Sequence, residues 1–373
     1  MAEFIPAPEV GALREVVRDH CRRVWDEPAV RAVSEDGKAV TDAWQALGTQ
    51  LGVLGLGVPE KWRGSGAGTV AAAAAAEELG GALAPVPYLS AAFAARLLVD
   101  SGDEAACGQL LADLCTGSRT FAVVGTDASG DWGRPSTVAS RGPDGWRLDG
   151  AAASVVDGPV ATDLLVVTEG PALFHVDVAA AGVTRDPVPT LDLTRPQADL
   201  RFVSVPARRV GDAVDLAGAT SVVVTLLAAE LVGVARTMLD TAVSYAKSRL
   251  QFGRPIGSFQ AVKQRCADML VELELARSVA DHAAWTHDHG GDDPALATSL
   301  AQVVTTDAAR RVTGDALQVL GGVGFTWEHP AHLYYKRAVA AAALWGGRAH
   351  RDRLAALAID GEVDAEERDS HVR

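Results

Sequence analysis

The sequence predicts a mainly α-helical protein with a small β-domain in the middle of the chain. Apolar residues recur at helical spacing up to residue 118 and again beyond residue 214, whereas short β-prone runs separated by turn residues fill the interval. The 373 residues also exceed what one hydrophobic core usually covers, because single domains run to about 150 residues. We therefore expect a helical domain at 1–118, a β-domain at 119–214 and a helical bundle at 215–373.

The first region carries five predicted helices. They are Glu9–Trp25, Thr41–Leu51, Val70–Leu79, Leu89–Val99 and Glu104–Leu114. Thr69 is placed to cap the third of these helices, and Gly80 follows its last residue as a stop signal. Six consecutive alanines give this helix little side-chain bulk, so we expect it to pack closely against a neighbouring helix.

The middle region carries five β-prone runs. They are Phe121–Val124, Trp146–Leu148, Leu164–Thr168, Leu173–Val176 and Leu200–Val205. Turn signals at Pro143–Gly145 and Asp157–Pro159 separate them. This spacing predicts a small antiparallel β-domain or barrel.

Helical periodicity returns after Val214 and continues toward the end of the chain. The first helix of this region has Val223, Leu227, Val234, Met238 and Tyr245 on one face. Further predicted helices are Ala261–Thr286, Pro294–Leu320 and His329–Ile359. The last region is therefore expected to form a helical bundle.

The charge balance and the cysteine pattern argue against several classes of protein. Thirty-four Lys and Arg residues against 48 Asp and Glu residues leave a formal charge of −14, which disfavours nucleic-acid binding because phosphate backbones are repelled. Cys21, Cys107, Cys115 and Cys266 form no C-x-x-C pair, a pattern typical of reduced thiols in a cytosolic protein.

We expect no membrane attachment. The N-terminus MAEFIPAPEV lacks the basic and apolar regions of a signal peptide. The most apolar window, Leu216–Ala235, has the length of a marginal membrane span, but Glu230 lies inside it. The sequence therefore predicts a cytoplasmic protein without a membrane-spanning segment.

Two segments of the last third are more specific than periodicity alone. Ser248–Met269 reads SRLQFGRPIGSFQAVKQRCADM, and Asp315–Arg337 reads DALQVLGGVGFTWEHPAHLYYKR. Both resemble C-terminal signatures of the acyl-CoA dehydrogenase family, and the loop VPEKWRGSGAG with Glu77–Pro85 fits the N-terminal domain of that family. The resemblance in layout covers the whole chain. It implies an N-terminal helical domain, a small antiparallel β-barrel and a C-terminal four-helix bundle.

The resemblance also implies FAD as the cofactor. Family members are usually tetramers in which one subunit's middle domain holds the isoalloxazine ring and a neighbour's C-terminal domain holds the adenosine diphosphate end. The positions that match this second half-site are Arg249, Gln251, Phe252, Ile256, Phe259, Gln260, Gln318, Gly321, Gly322 and Gly324. Arg249 offers a planar charged fork for a pyrophosphate, and the glycines let backbone approach the cofactor closely. A glycine run alone would be typical of a helix C-cap.

The usual catalytic base of the family is absent from both of its known positions. The family's reaction needs a carboxylate that takes the α-proton of a thioester while a hydride passes to the flavin. In typical members this glutamate lies nine residues after the arginine that matches Arg337, where this chain has Gly346. In other members it lies on the helix that opens the C-terminal domain, where this chain has Val223. The resemblance therefore implies no catalytic residue in this chain.

The middle region also departs from the family. Where catalytic members have a Thr-Glu-Pro-Gly segment against flavin and substrate, this chain has Gly125–Trp132, reading GTDASGDW. Where they have Trp-Ile-Thr-Asn-Gly beside the flavin ring, this chain has Ser154–Gly158, reading SVVDG. The half-site that would hold the ring is thus eroded, whereas the half-site for a neighbour's adenosine end is intact.

Other ionisable residues have simpler interpretations than catalysis. Glu230 lies two helical turns from Val223, which is badly placed for a substitute base, and a pairing with an arginine is favoured. His282, His287 and His289 are spaced as an exposed helix end rather than as a metal site, and no metal is expected. His175, in an apolar strand, is interpreted as a core residue with a hydrogen-bond partner.

Three hypotheses follow from these features. The favoured one is a base-less subunit of a hetero-oligomeric α2β2 FAD-dependent acyl-CoA dehydrogenase, like those that degrade steroid side chains and other bulky acyl-CoA esters in actinobacteria. A homologous, glutamate-bearing partner would hold most of the acyl-CoA substrate, and an electron-transfer flavoprotein would accept the electrons. The alternatives are a self-sufficient homotetramer with a displaced base, and a scaffold of the same fold without ligand binding.

Overall fold

Helices form both ends of the chain and a sheet lies between them in the computed structural model, which describes residues 8–35, 40–170, 172–290 and 293–370. The helices are α1 (Pro8–Val24), α2 (Glu27–Ser34), α3 (Thr41–Thr49), α4 (Gly68–Gly81), α5 (Tyr88–Ser101), α6 (Glu104–Thr116), α7 (Leu216–Ser248), α8 (Gln260–His289), α9 (Pro294–Leu320), α10 (Ala331–Ala341) and α11 (Gly347–Ser370). The strands are β1 (Phe121–Val124), β2 (Val138–Gly142), β3 (Gly145–Val156), β4 (Asp163–Val167), β5 (Leu173–Asp177), β6 (Val183–Val188), β7 (Gln197–Gly211), β8 (Leu250–Gln251) and β9 (Arg254–Pro255). The predicted mainly helical fold with a middle sheet is confirmed.

The sheet of the middle region is mixed. Its strands follow the order β1-β4-β5-β7-β3-β2, and β6 also pairs with β7. These pairs are antiparallel except β1 with β4, which run parallel. Parallel neighbours need a long connection, and here β2 and β3 lie within it. The predicted antiparallel barrel is therefore corrected in two details: one pair is parallel, and within the described residues the path from β1 to β2 is not closed.

The alanine-rich helix α4 crosses α7 at very short range, as the sequence predicts. Ala71–Ala76 are all buried. Gly80 faces the backbone carbonyl of Glu230, and Gly233 faces that of Glu77, without room for a Cβ atom at either glycine. A larger residue at either position would force the two helices apart.

The N-terminus of α4 is capped by a residue from the far end of the bundle. The Asp288 carboxylate, near the end of α8, accepts hydrogen bonds from the backbone N–H groups of Thr69 at 2.7 Å and Val70 at 2.8 Å. The predicted Thr69 cap is wrong, because Thr69 lies inside the helix. Negative charge at this end also suits the helix dipole. The cap joins the first region of the chain to the last.

The final predicted helix is broken in two. α10 and α11 are separated at Leu344–Gly346, where Trp345 has φ 46° and ψ 46° and Gly346 has φ 82°. Two successive residues in the left-handed region cannot continue a right-handed helix, so the chain turns sharply here. The break falls at the position where typical family members carry their catalytic glutamate.

α7 is the central helix of the core. Of the described helices it is the one long and apolar enough to cross a membrane, but 89% of its most apolar window is buried inside the protein. It packs against α4, α5, α8 and α9. The helices of the first and last regions share one hydrophobic core, and the sheet encloses a second, smaller one.

The cysteines are free, as the sequence predicts, although Cys266 is only partly buried, and the predicted hydrogen-bond partner of His175 is observed. Cys21, Cys107 and Cys115 are buried. Burial raises the pKa of Cys21 to about 12 and that of Cys115 to about 11, so neither thiol ionises near neutral pH. In the sheet, His175 Nε2 lies 2.6 Å from Asp163 Oδ1.

Candidate functional site

The two most specific sequence segments lie at one end of the helical bundle. α7 ends at Ser248, α8 begins at Gln260 and α9 ends at Leu320, so the alternating directions of these helices bring the segments together. An ion pair between Arg265 on α8 and Asp315 on α9 joins them. The residues predicted to bind the adenosine end of FAD therefore share one end of the molecule.

A tight hairpin carries several of these residues. Leu250–Gln251 pairs with Arg254–Pro255, and Phe252 and Gly253 form the turn with φ angles of 52° and 76°. Positive φ at two successive residues is typical of the two-residue turns that join antiparallel strands, and it is unfavourable for a bulky side chain such as phenylalanine. The turn holds Phe252 outward, with 91% of the residue exposed.

Aromatic and cationic side chains surround this hairpin. The Phe252 and Phe259 rings meet edge to face with 6.1 Å between their centroids, and the Arg254 guanidinium lies 4.2 Å from the Phe259 centroid. Arg249 is exposed, and its guanidinium makes no ion pair or hydrogen bond with the described part of the chain. A free guanidinium and an exposed ring are groups that a pyrophosphate and a flat heterocycle can use.

The glycine segment after α9 leaves its backbone open at two of the three predicted positions. Gly321 has φ 64°, and a Cβ atom at Gly321 or Gly322 would meet no other atom within 4 Å. Gly324 is buried, and a Cβ atom there would lie 2.9 Å from Leu320 Cβ, so this glycine serves helix packing. The remaining predicted residues are the exposed Gln251, Gln260 and Gln318 and the partly buried Ile256.

The other half of the site is a cleft between the β-domain and the break that separates α10 from α11. Its volume is about 430 Å³. Its walls include Thr126, Ser129, Gly130 and Trp132 from one loop, together with Ser154–Val156, Val188–Asp192 and Ala343–Trp345. Compared with the Trp-Ile-Thr-Asn-Gly segment of typical family members, the wall at Ser154–Val156 has neither an aromatic ring to stack on a flavin nor a threonine hydroxyl.

Neither expected base position carries a carboxylate, and the structure shows what surrounds each one. Gly346 faces a tryptophan, because a Cβ atom at Gly346 would lie 3.7 Å from Trp132 Cδ1. Val223 is fully buried. Asp192 is the acidic residue among the described residues that line the cleft. Its Oδ2 lies 2.5 Å from Arg337 Nε. Burial would raise the pKa of Asp192, but Arg337 and then Arg195 outweigh it and lower this pKa.

Glu230 is buried between two arginines, as the sequence favours. Arg195 Nη2 donates to both carboxylate oxygens at 2.7 Å, and Arg337 Nη1 donates to one of them at 2.9 Å. Burial alone would raise the pKa of Glu230, but the charges of Arg195 and Arg337 lower it. Arg337 also bonds the Thr194 hydroxyl. Glu230 is therefore an arginine-paired residue of the core rather than a displaced base.

The histidines at the end of α8 have separate partners. His287 Nε2 lies 3.1 Å from Thr298 Oγ1, and the His289 ring stacks on Trp285 with 4.8 Å between centroids. Burial lowers the pKa of His287. Across the described ranges, no group of three or more His, Cys, Asp or Glu side chains is arranged to hold a metal ion.

Asp157, at the end of β3, is a buried carboxylate in an unfavourable environment. Its Oδ2 accepts a hydrogen bond from Ser90 Oγ at 2.6 Å, and its φ is 58°. Burial raises its pKa more than the Ser90 hydrogen bond and the charges of Arg195 and Arg337 lower it. An acid whose pKa is higher in the folded state destabilises the fold as the pH rises, because the unfolded state releases its proton first.

Replacing Asp157 by asparagine should therefore raise the melting temperature at neutral pH. Asparagine keeps an acceptor for Ser90 and removes the buried charge, and the gain should shrink as the pH falls toward the ordinary pKa of an aspartate. Thermal melts of both proteins across this pH range measure the effect. Asp163→Asn is the matched control. Burial would raise the pKa of Asp163, but its hydrogen bonds, above all the one with His175, lower this pKa. The change should therefore lower the melting temperature. A stability loss in Asp157→Asn at neutral pH would contradict the argument.

Comparison with known proteins identifies the family. The family model "Acyl-CoA dehydrogenase, N-terminal domain" matches residues 7–118, and "Acyl-CoA dehydrogenase, C-terminal domain" matches residues 225–356. The acyl-CoA dehydrogenase IpdE2 of Mycolicibacterium smegmatis is 33% identical over 335 residues, which cover 90% of this chain and 93% of IpdE2. The chain belongs to the acyl-CoA dehydrogenase family.

Other similar proteins include a longer relative and two solved structures that are each named for a pair of proteins. The acyl-CoA dehydrogenase FadE34 of Mycobacterium tuberculosis is 36% identical over 350 residues, and the chain spans about half of its length, 46%. The Tcur3481-Tcur3483 steroid ACAD is 31% identical with a TM-score of 0.84, covering 95% of this chain and 99% of that one. The ChsE4-ChsE5 complex from Mycobacterium tuberculosis is 28% identical with a TM-score of 0.85, covering 95% and 98%.

The cofactor is FAD. A glutaryl-CoA dehydrogenase from Mycobacterium smegmatis in complex with FADH2 shares this fold at 20% identity, with a TM-score of 0.83 and coverage of 93% of both chains. The Arg249 guanidinium, which has no partner among the described residues, and the open backbone at Gly321 and Gly322 fit the phosphate and adenosine end of such a group.

Three aromatic residues beside the cleft were not predicted from the sequence as part of the site. Phe93, Trp132 and Trp345 pack together at the vacant base position, and Trp132 ends the segment that departs from the family's Thr-Glu-Pro-Gly pattern. Trp132 itself was the sequence signal for this cluster, because the matching segment faces flavin and substrate in typical family members.

Proposed function

We propose that this chain is the base-less subunit of a hetero-oligomeric acyl-CoA dehydrogenase and that a homologous subunit supplies the catalytic glutamate. The observation that carries the proposal is Gly346, which faces Trp132 where a base would be needed. Removal of the α-proton of a thioester requires a base within hydrogen-bond reach of that carbon. Glu230 and Asp192 do not replace it, because buried arginines hold both carboxylates.

In this proposal the chain binds the adenosine end of the cofactor for its partner. Arg249 neutralises pyrophosphate charge, Phe252 covers a flat ring, and the backbone N–H groups at Gly321 and Gly322 orient the nucleotide. Bound FAD supplies the hydride acceptor in the desaturation. The partner supplies the β-domain that holds the ring, the glutamate and most of the acyl-CoA site.

The similar structures support the pairing of unlike chains. They are the Tcur3481-Tcur3483 steroid ACAD and the ChsE4-ChsE5 complex, and each joins two differently named subunits. The proposed substrate class is therefore a steroid side-chain or similarly bulky acyl-CoA ester. The proposed electron acceptor is an electron-transfer flavoprotein, and the proposed location is the cytoplasm.

The flavin content of the assembled complex tests the proposal. If this chain holds an adenosine end and no isoalloxazine ring, each pair of unlike chains completes one flavin site. A heterotetramer should then carry two FAD molecules, with no ring beside Val155 and Val156. Flavin absorbance measured against the protein mass of the intact complex gives the count, and four FAD molecules per tetramer would refute the proposal.

The retained cleft of about 430 Å³ favours a second candidate, a self-sufficient homotetramer with a flavin ring in every subunit. The isolated, mass-verified chain separates the two candidates when it is assayed with an artificial electron acceptor. The base-less subunit should show no turnover alone and gain it only with its partner. Turnover by the isolated chain would establish the second candidate instead.

A further inference from the structure

The loop at residues 125–133 turns back on itself and directs Trp132 toward the interior. Thr126 and Trp132 form an isolated antiparallel bridge. At the loop tip, Asp127 Oδ1 accepts hydrogen bonds from the Ser129 N–H at 2.8 Å and from the Ser129 hydroxyl at 2.7 Å. The hydrogen bonds within the loop therefore fix the backbone position of Trp132.

Several elements then hold the Trp132 side chain. Its Nε1–H donates to the Thr220 hydroxyl on α7 at 3.1 Å, and its ring centroid lies 5.5 Å from that of Phe93 on α5. The Phe93 ring meets Trp345 edge to face at 6.1 Å. With Gly346 on the remaining side, the three aromatic side chains lie between the β-domain, α5, α7 and the break before α11, and Trp132 and Trp345 also line the cleft.

We propose that Trp132 occupies the acyl-binding space of this chain and excludes an aliphatic acyl thioester from it. A base acts only within about 2.6–3.2 Å of the atom that loses the proton. A Cβ atom at Gly346 would lie 3.7 Å from Trp132 Cδ1, which is van der Waals contact, so the indole takes part of the space that an ester would need beside a base at this position. Binding of the ester at the partner's site alone is a consequence that rests on the proposed function. The position of Trp132 in the acyl-binding space does not depend on that function.

Removing the indole should open a space with defined chemistry. The walls would be the rings of Phe93 and Trp345 and the face of α7 at Thr220. This space would join the cleft of about 430 Å³ that Trp132 lines, and apolar walls of this kind take up small apolar molecules. The ligand class for the opened site is therefore a short aliphatic chain or a flat apolar ring.

Binding of two small probes to the Trp132→Ala complex tests this inference. The probes are indole, which is the deleted ring, and S-hexyl-N-acetylcysteamine, a thioether that carries an acyl-length chain but cannot be desaturated. Ligand-detected NMR should show that each probe binds the variant at least about tenfold more tightly than the wild type and that each displaces the other. Any binding at the partner's own site is common to both proteins and cancels in the comparison.

Trp146→Ala is the matched control, because Trp146 packs on Phe174 in the β-domain with 5.4 Å between centroids. It should bind both probes as the wild type does. Trp132→Leu keeps an apolar side chain and should show an intermediate gain in probe affinity. It replaces the alanine variant in the test if that variant does not fold. Equal affinities in the wild type and both Trp132 variants would overturn the inference.

The flavin count keeps the two proposals apart. Four FAD molecules per tetramer together with a probe gain in Trp132→Ala would refute the proposed function and support the occupied acyl space. Two FAD molecules without a probe gain would refute the occupied acyl space alone.

Discussion

Replacing Glu230 by glutamine should lower the free energy of unfolding by about 3–5 kcal/mol, because the buried cluster of Arg195, Arg337 and Asp192 would then carry one uncompensated positive charge. Arg195 and Arg337 both bond this carboxylate, and neither can move its charge to solvent from the core. Equilibrium unfolding in urea at neutral pH measures the loss. The pH dependence has a definite sign: the pKa of Glu230 is lowered in the folded state, so its contribution is complete at neutral pH and is lost as the solution becomes acidic.

Glu272→Gln is the control for this prediction. Glu272 pairs with Arg311 at 2.7 Å on the surface, where the Arg311 side chain is 58% exposed. Exposed pairs contribute about 0–1 kcal/mol, so this variant should unfold almost as the wild type does. Equal losses in the two variants would mean that the buried pairing of Glu230 is not what stabilises the fold.

Replacing Arg249 by alanine should weaken FAD binding to the assembled complex by about tenfold to a hundredfold. The expected loss is that of a charge-assisted hydrogen bond to a phosphate, about 1.5–3 kcal/mol. Because Arg249 is exposed and has no partner in the described part of the chain, the variant should remain folded with an unchanged melting temperature in the absence of cofactor. Fluorescence titration of the deflavinated complex with FAD measures the affinity.

Two further variants define what the Arg249 result means. Gln318→Ala, at the other predicted contact, should also weaken FAD binding. Arg348→Ala removes an equally charged side chain that is 94% exposed on α11, and it should leave the affinity unchanged. Unchanged FAD affinity in Arg249→Ala and Gln318→Ala would show that these segments are only structural in this chain.

Elements with local signals could be predicted closely, and elements set by tertiary contacts could not. α9 begins and ends where Pro294 and Gly321 indicate, because a proline at the first turn and a glycine after the last are local signals. β2 and β6 were missed because they are mostly exposed and show no alternation of apolar residues. The break at Trp345 was missed because the alanines before it favour helix, and only the fold shows that the chain turns there.

The same limit applies to the site. The residues proposed for the adenosine half-site could be selected from the sequence because they lie in two short segments that resemble a family pattern, and the structure places both segments at one end of the bundle. Their contact with FAD stays a prediction. The contact between Trp132 and Thr220 could not be predicted, because it joins residues 88 positions apart whose meeting depends on how the β-domain sits on α7. Likewise, the sequence favoured an arginine partner for Glu230 but did not identify Arg195 or Arg337.

The capping of α4 by the Asp288 carboxylate limits how far the chain can be truncated. This carboxylate is supplied 219 residues after the helix end that it caps, and α4 meets α7 with no space for a side chain at Gly80 or Gly233. A fragment that ends after α6 would leave the first amides of α4 without this acceptor and its alanine face without a cover. The first and last helical regions therefore complete each other's buried contacts, and a chain shortened to either region would lose them.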